Sequence, residues 1–176
     1  MKKKTNDKES FNGFEASPEL QSELVDSTPR AAAIVGAAAL EIQLERLLRK
    51  FLIDDKKEVD KLIDSDNPSA PLGNLSSKIR TCYCLGLIPR NEHDDLIKIK
   101  DIRNIFAHHI NDCTFDESFV QKTVANFTII NSMRGLYKEP TRQRFTILVY
   151  TLTNLLKHRT QNIITKREVA NEFRFG

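Results

Sequence analysis

The longest amphipathic stretch of the chain begins at Thr28-Pro29 and continues to about residue 53. Proline is favoured at the first position of a helix, and a threonine before it caps the first turn. The apolar residues that follow recur at helical spacing and predict one long helix. They are Ile34, Val35, Ala38, Ile42, Leu48, Phe51 and Leu52.

The first half of this helix is made almost entirely of small residues around Gly36. Small side chains allow another helix to approach closely. The approaching helix can belong to the same chain, or the small residues can form a self-association surface. We favour packing within the chain, because helical bundles bury such faces routinely.

Start and stop signals predict further helices along the chain. Their expected ranges are 17–26, 56–63, 75–87, 89–109, 115–136 and 142–164. Residues 145–153 are rich in the β-branched and aromatic residues typical of strands, but the apolar period through Leu156 favours a helix. Residues 65–74 contain two Pro, a Gly and two Asn and predict a loop.

These elements predict an all-α protein, an antiparallel helical bundle of four to five long helices. Only six Gly and six Pro occur in 176 residues, too few for an all-β protein with many hairpins. We expect a disordered basic tail over 1–16, the bundle domain over 17–165 and a C-terminal tail over 166–176.

Charge and cysteine content indicate a cytoplasmic protein. The net charge of +3 includes the lysines of residues 2–4, so it gives no strong case for nucleic acid binding. The longest apolar run, residues 31–40, is shorter than the roughly 20 residues that span a bilayer. No secretion signal opens the chain, and three cysteines do not form a paired framework, so we expect reduced thiols.

Cys82 and Cys84 form a C-x-C pair that admits two interpretations. A zinc site would need further ligands, such as Cys113 with His93 or His108. Structural zinc sites usually show two close-spaced pairs, so buried inert thiols are the favoured interpretation. We predict no metal and no cofactor.

Residues 89–111 contain the densest group of reactive side chains, most of them on the helix expected over 89–109. Its buried stripe is expected to contain Leu96, Ile99, Ile102 and Phe106. The acidic residues of its first turns suit the positive end of the helix dipole; they are Glu92, Asp94 and Asp95.

The end of this helix carries the candidate site residues Arg103, Asn104 and His108, beside Asp101 and His109. Asn104 and His108 share a face, whereas Arg103 and His108 converge only if the helix loosens. Arginine binds phosphate and histidine transfers protons near neutral pH, so together they suit metal-independent RNA cleavage. A dimer would supply two clusters and both an acid and a base. The alternative is a structural cluster that pairs charges and caps the helix end.

The segment from Arg103 to His108 resembles the Arg-x4-His motif of the HEPN superfamily, which are four-helix bundles that often act as metal-independent ribonucleases. By matching position, the resemblance implies that Arg103, Asn104 and His108 line a cleft at a dimer interface. Some members carry a tyrosine two residues after the histidine, where this chain has Ile110.

The chain is also similar to the mannitol operon repressor family from about Arg30 to His108. The most specific matches are LGNLSSKI at residues 72–79 and LGLI at 85–88. That family is all-α, represses transcription and lacks an evident DNA-binding motif. The resemblance implies a repressor-type regulator that acts through a protein partner, with direct DNA contact not expected.

Two alternatives to this function stay open: the ribonuclease, and a dimeric interaction module without catalysis. Whether the protein is an enzyme is therefore undecided by the sequence. In each case a homodimer is expected, RNA is a second candidate partner, and no membrane association is predicted.

Overall fold

A computed structural model describes residues 18–108, 113–133, 135–164 and 166–171. Within these ranges the chain forms helices and no strand, which confirms the all-α class. None of these helices is long and apolar enough to cross a membrane. The α-helices are α1 Pro18–Val25, α2 Pro29–Phe51, α3 Lys56–Ile63, α4 Leu75–Cys84, α5 Arg90–His108, α6 Ser118–Ala125, α7 Thr128–Ser132 and α8 Thr141–Asn162.

The long helix α2 lies at the centre of the fold and packs against α1, α4, α5 and α8. Thr28 caps it, since its hydroxyl accepts a hydrogen bond from the amide of Ala31. A Cβ added to Gly36 would lie only 3.2–3.3 Å from side-chain atoms of Leu24, Val149 and Phe145. Gly36 and the buried alanines of α2 therefore serve packing within the chain, as predicted.

Apolar residues from all the long helices form one core. Phe115 joins α5 to α8, because its ring lies 5.0 Å from that of Phe106 and 5.2 Å from that of Phe145. Phe106 is near the end of α5 and Phe145 near the start of α8. Arg159 near the end of α8 pairs with Glu92 near the start of α5, so these two helices run antiparallel. The predicted buried stripe of α5 is confirmed.

Helix α4 ends at Cys84, three residues earlier than predicted. The chain turns there through Gly86, whose φ of 71° is a left-handed conformation that glycine adopts without strain. The turn leads directly into α5.

The prediction of a single helix over residues 115–136 was wrong, because the chain breaks between α6 and α7 at Asn126-Phe127. The side-chain amide of Asn126 donates to the carbonyl of Lys122, and that of Asn131 to the carbonyl of Ala125. These bonds satisfy the last carbonyls of α6, which a continued helix would have paired with backbone amides.

The start of the expected C-terminal tail lies against the end of α2. The amide of Arg167 donates to the carbonyl of Phe51 at 3.1 Å, and the Arg167 guanidinium lies 4.5 Å from the centre of the Phe51 ring. Lys166 pairs with Asp54. Residues 1–16 and Ser17 lie outside the described residues, and the domain division stays a prediction.

Candidate functional site

Arg103, Asn104 and His108 occupy the last turns of α5. The Nη1 of Arg103 donates a hydrogen bond to the Oδ1 of Asn104 at 3.0 Å, and both side chains are half-buried. His108 is exposed at the end of the helix. The structure thus brings the arginine and the asparagine together on one chain.

The histidine shares a helix face with Asn104 but not with Arg103. Helix α5 is continuous through His108, so Arg103 and His108, five residues apart, are separated by about 140° around the axis. Asp101 pairs with Lys100 at 2.9 Å, so this carboxylate already has a cation beside it. His109 lies outside the described residues. Within one chain, Arg103 and His108 therefore do not form a joint site.

A cavity of about 360 Å³ opens between α5 and α6, next to this helix end. Its lining includes the apolar side chains of Ile105, Phe119 and Val120. Glu117 also lines it, and a carboxylate there would repel a phosphate group. The cavity itself therefore adds no attraction for RNA phosphates.

Three ionic groups elsewhere in the chain are more deeply buried than Arg103, Asn104 and His108. None of them was predicted from the sequence to be buried. The first is Lys78 on α4, which is completely buried. Its ammonium lies 3.3 Å from the carboxylate of Glu41 and 3.1 Å from that of Glu45, and it donates to the hydroxyl of Ser65. This network joins α2, α4 and the loop before α4.

The second group is the ion pair between Glu92 and Arg159. The guanidinium donates from Nε at 3.1 Å and from Nη2 at 2.6 Å to the two carboxylate oxygens. Two parallel bonds of this kind fix the orientation of both side chains. The pair connects the start of α5 to the end of α8.

The third group is Asp95, also completely buried. Its two oxygens accept hydrogen bonds from the amides of Thr128 and Ile129, each at 2.9 Å. Lys98 lies 2.9 Å from the same carboxylate. Asp95 thus caps the first turn of α7 from another helix. The acidic residues of α5 that were attributed to the helix dipole include two with these tertiary partners.

The sequence did contain a signal for these groups. Lys78 falls at the same helical spacing as its buried neighbours Leu75, Ile79 and Cys82. Glu92 and Asp95 likewise share the spacing of the buried stripe of α5. A charged residue at a core position predicts a buried partner, although it does not say which one.

The cysteines divide into two environments. Cys82 is buried, and burial raises the pKa of its thiol to about 12. Cys113 is buried too, and burial raises its thiol pKa. Cys84 is exposed. In the described part of the chain no three His, Cys, Asp or Glu side chains are grouped as a metal site would require.

Comparisons with known proteins give one family and one fold. The family model described as mannitol repressor matches residues 25–167. Among solved structures, the chain is similar to one in the X-ray structure of the MtlR-HPr complex from Escherichia coli, with 19% identity and a TM-score of 0.63. That match covers 78% of this chain and 94% of the other. None of the curated proteins compared with the sequence matches it significantly.

Proposed function

The chain belongs to the mannitol repressor family, and on that basis we propose that it is a repressor-type regulator that acts by binding a protein partner. The observation that carries the proposal is the family match over residues 25–167, which includes α2 to α8. The mannitol operon is the expected target, and the cytoplasm is where such a regulator works.

The first candidate for the partner is HPr. The similar Escherichia coli structure is a complex that contains HPr, and it shares the fold of this chain at 19% identity. Shared fold gives this chain a similar scaffold, and the surface residues decide whether the same partner is bound. HPr is therefore the protein to test.

Direct reading of DNA by α5 is disfavoured by the position and charge of the first turns of this helix. Helix α5 follows a tight turn after α4, as a DNA-reading helix would. Its first turns, however, bury Glu92 against Arg159 and Asp95 against α7, so these turns face the protein. Asp94, the carboxylate that stays at the surface, opposes entry into a groove lined by phosphates. A protein partner has no phosphate backbone, so this repulsion does not apply to it.

A reporter assay tests the proposal. A reporter gene driven by a mannitol-utilisation promoter is measured in cells that lack the protein and in cells that express it. We expect expression of the chain to lower reporter output severalfold, and the double substitution Arg103→Ala, His108→Ala to repress as well as the wild type. Unchanged output in cells that contain the folded protein would contradict the proposed function.

A second candidate function is metal-independent RNA cleavage in a homodimer. The bond between Arg103 and Asn104 holds the guanidinium beside the amide, and exposed His108 is available to a second chain. Because one chain separates Arg103 from His108, two copies would have to meet at the ends of α5.

RNA incubated with the protein in EDTA tests this candidate. Cleavage that His108→Ala abolishes and His158→Ala preserves would support it, since His158 is also exposed but lies on α8. Intact RNA beside an active control nuclease would contradict it. Sedimentation of the same samples measures whether the chain forms the required dimer.

A further inference from the structure

The outward face of α2 carries an uninterrupted row of exposed residues, one at every fourth position. We call this row the α2 ridge; it consists of Arg30, Ile34, Ala38, Ile42, Arg46 and Lys50. Four helices pack against α2, yet in the described structure none of them covers these positions. Side chains four residues apart form the type of ridge that fits a groove on another helix.

The centre of the α2 ridge is apolar. Ile34 is 39% exposed and Ile42 is 50% exposed, and Ala38 lies between them. The two isoleucines are about 12 Å apart along the helix axis. Scattered exposed isoleucines are common on protein surfaces, but an aligned set on one helix face is typical of an interaction surface.

The C-terminal end of the α2 ridge is basic. Arg30 precedes the apolar centre, and Arg46 and Lys50 follow it. The acidic residues on the neighbouring row of α2, Glu41 and Glu45, are engaged by the buried ammonium of Lys78. The surface is therefore an apolar strip whose C-terminal end, at Arg46 and Lys50, is positive.

This charge pattern disfavours a second copy of the chain as the occupant. Antiparallel packing of two ridges about Ala38 would align Ile34 with Ile42, but it would also place Arg30 opposite Arg46. Parallel packing would set each cation opposite its own copy. Like charges placed opposite each other weaken an association and exclude wrong partners.

We propose that the α2 ridge is the docking surface for a protein partner that presents an apolar helix face with carboxylates at the end that meets Arg46 and Lys50. The assignment rests on the proposed function, in which the chain acts through a protein partner. Apolar contacts with Ile34, Ala38 and Ile42 supply binding energy, and the cations at the C-terminal end select an acidic partner.

Two synthetic helical peptides test the surface without any assumption about HPr. Both carry leucines at three successive fourth positions; one has glutamates at both ends, and the other has lysines there. Titrated into the full-length chain, the glutamate peptide should bind at least tenfold more tightly than the lysine peptide. Arg46→Glu should reduce or reverse this preference.

Ile42→Glu should weaken binding of the glutamate peptide at least tenfold with an unchanged melting temperature. The matched control is Ile164→Glu, because Ile164 is 93% exposed and lies outside the α2 ridge. This control should bind like the wild type. Equal affinity for both peptides, or binding that Ile42→Glu leaves unchanged, would overturn the proposal.

Two further measurements distinguish between the possible occupants of the α2 ridge. If sedimentation shows a wild-type dimer that Ile42→Glu dissociates, the α2 ridge contacts a second copy and the proposal is overturned. If HPr binds the wild type and not Ile42→Glu, HPr is the occupant and the proposal is supported. If the glutamate peptide binds and HPr does not, the surface stands and HPr fails as the partner.

Discussion

At the scale of single residues, the core of this protein tolerates charge only where the charge has a partner. Lys78 is completely buried, yet two carboxylates and a hydroxyl surround its ammonium. The helical spacing of α4 placed Lys78 at a core position, so its burial could be predicted. Its partners could not, because Glu41 and Glu45 are more than 30 residues away along the chain.

Replacing Lys78 with methionine should destabilise the protein. The change leaves Glu41 and Glu45 close together without their cation, so we expect the free energy of unfolding to fall by about 3 kcal/mol. The control is Lys61→Met, which breaks an exposed pair with Glu58 and should change stability by less than about 0.5 kcal/mol. Urea denaturation measures both, and equal effects would contradict the assigned role of Lys78.

The same network predicts how stability depends on pH. Burial acts to raise the pKa of Glu45, but hydrogen bonds from Lys78 and Arg49 outweigh it and hold the pKa below its ordinary value of 4.5. A carboxyl with a lowered folded-state pKa stabilises the fold above its unfolded pKa, and this contribution is lost as pH falls. Wild type should therefore lose more stability below pH 4.5 than Lys78→Met. Parallel pH curves for the two proteins would count against this explanation.

Thiol reactivity should follow burial. Cys84 is exposed, whereas burial raises the pKa of the Cys82 thiol to about 12, so little thiolate is present near neutral pH. Iodoacetamide at pH 8 should modify Cys84 in the native protein, and Cys82 only after denaturation. Mass spectrometry of the modified peptides checks this order, and rapid native labelling of Cys82 would disprove it.

At the scale of helices, local signals predicted where elements begin, and distant contacts decided where one of them breaks. Thr28-Pro29 marks the start of α2, and the predicted range of α3, Lys56–Ile63, matches the structure. The break before α7 has a weaker local signal, the single residue Asn126, whose side chain bonds the carbonyl of Lys122. The first amides of α7 are capped by Asp95, which is 33 residues earlier in the chain.

Asp95→Ala should therefore loosen α7. The amides of Thr128 and Ile129 would lose their acceptor, and we expect the free energy of unfolding to fall by about 2 kcal/mol. Hydrogen exchange at these two amides should accelerate as well. Asp101→Ala is the control, because Asp101 is half-exposed and pairs only with neighbouring Lys100 in the described structure. Unchanged exchange at α7 in Asp95→Ala would refute the capping role.

At the scale of the whole molecule, the sequence could not show which apolar face of α2 is covered. The residues that carried its predicted period include Ile34 and Ile42, which are exposed. The buried face is built instead from small residues and leucines, such as Ala33, Ala37 and Leu44. Helix α2 thus has two apolar faces: one packs into the core, and the other is exposed and forms the proposed docking surface.

The candidate site on α5 could likewise be predicted only in part from the sequence. Spacing along α5 predicts that Asn104 and His108 share a face, whereas the hydrogen bond from Arg103 to Asn104 in the structure was not predicted. Whether Arg103 meets His108 depends on a second chain, and no pattern within one sequence determines that contact. The expected homodimer and the ribonuclease therefore stay proposals, whereas membership of the mannitol repressor family is established by the match over residues 25–167.

The most direct test is a calorimetric titration of the full-length chain with HPr. Action through a protein partner predicts saturable one-to-one binding with a Kd of about 10 µM or lower. Ile42→Glu should weaken HPr binding at least tenfold, whereas Ile164→Glu should leave HPr binding unchanged. The absence of saturable binding at HPr concentrations of about 1 mM, with a folded chain, would contradict HPr as the partner.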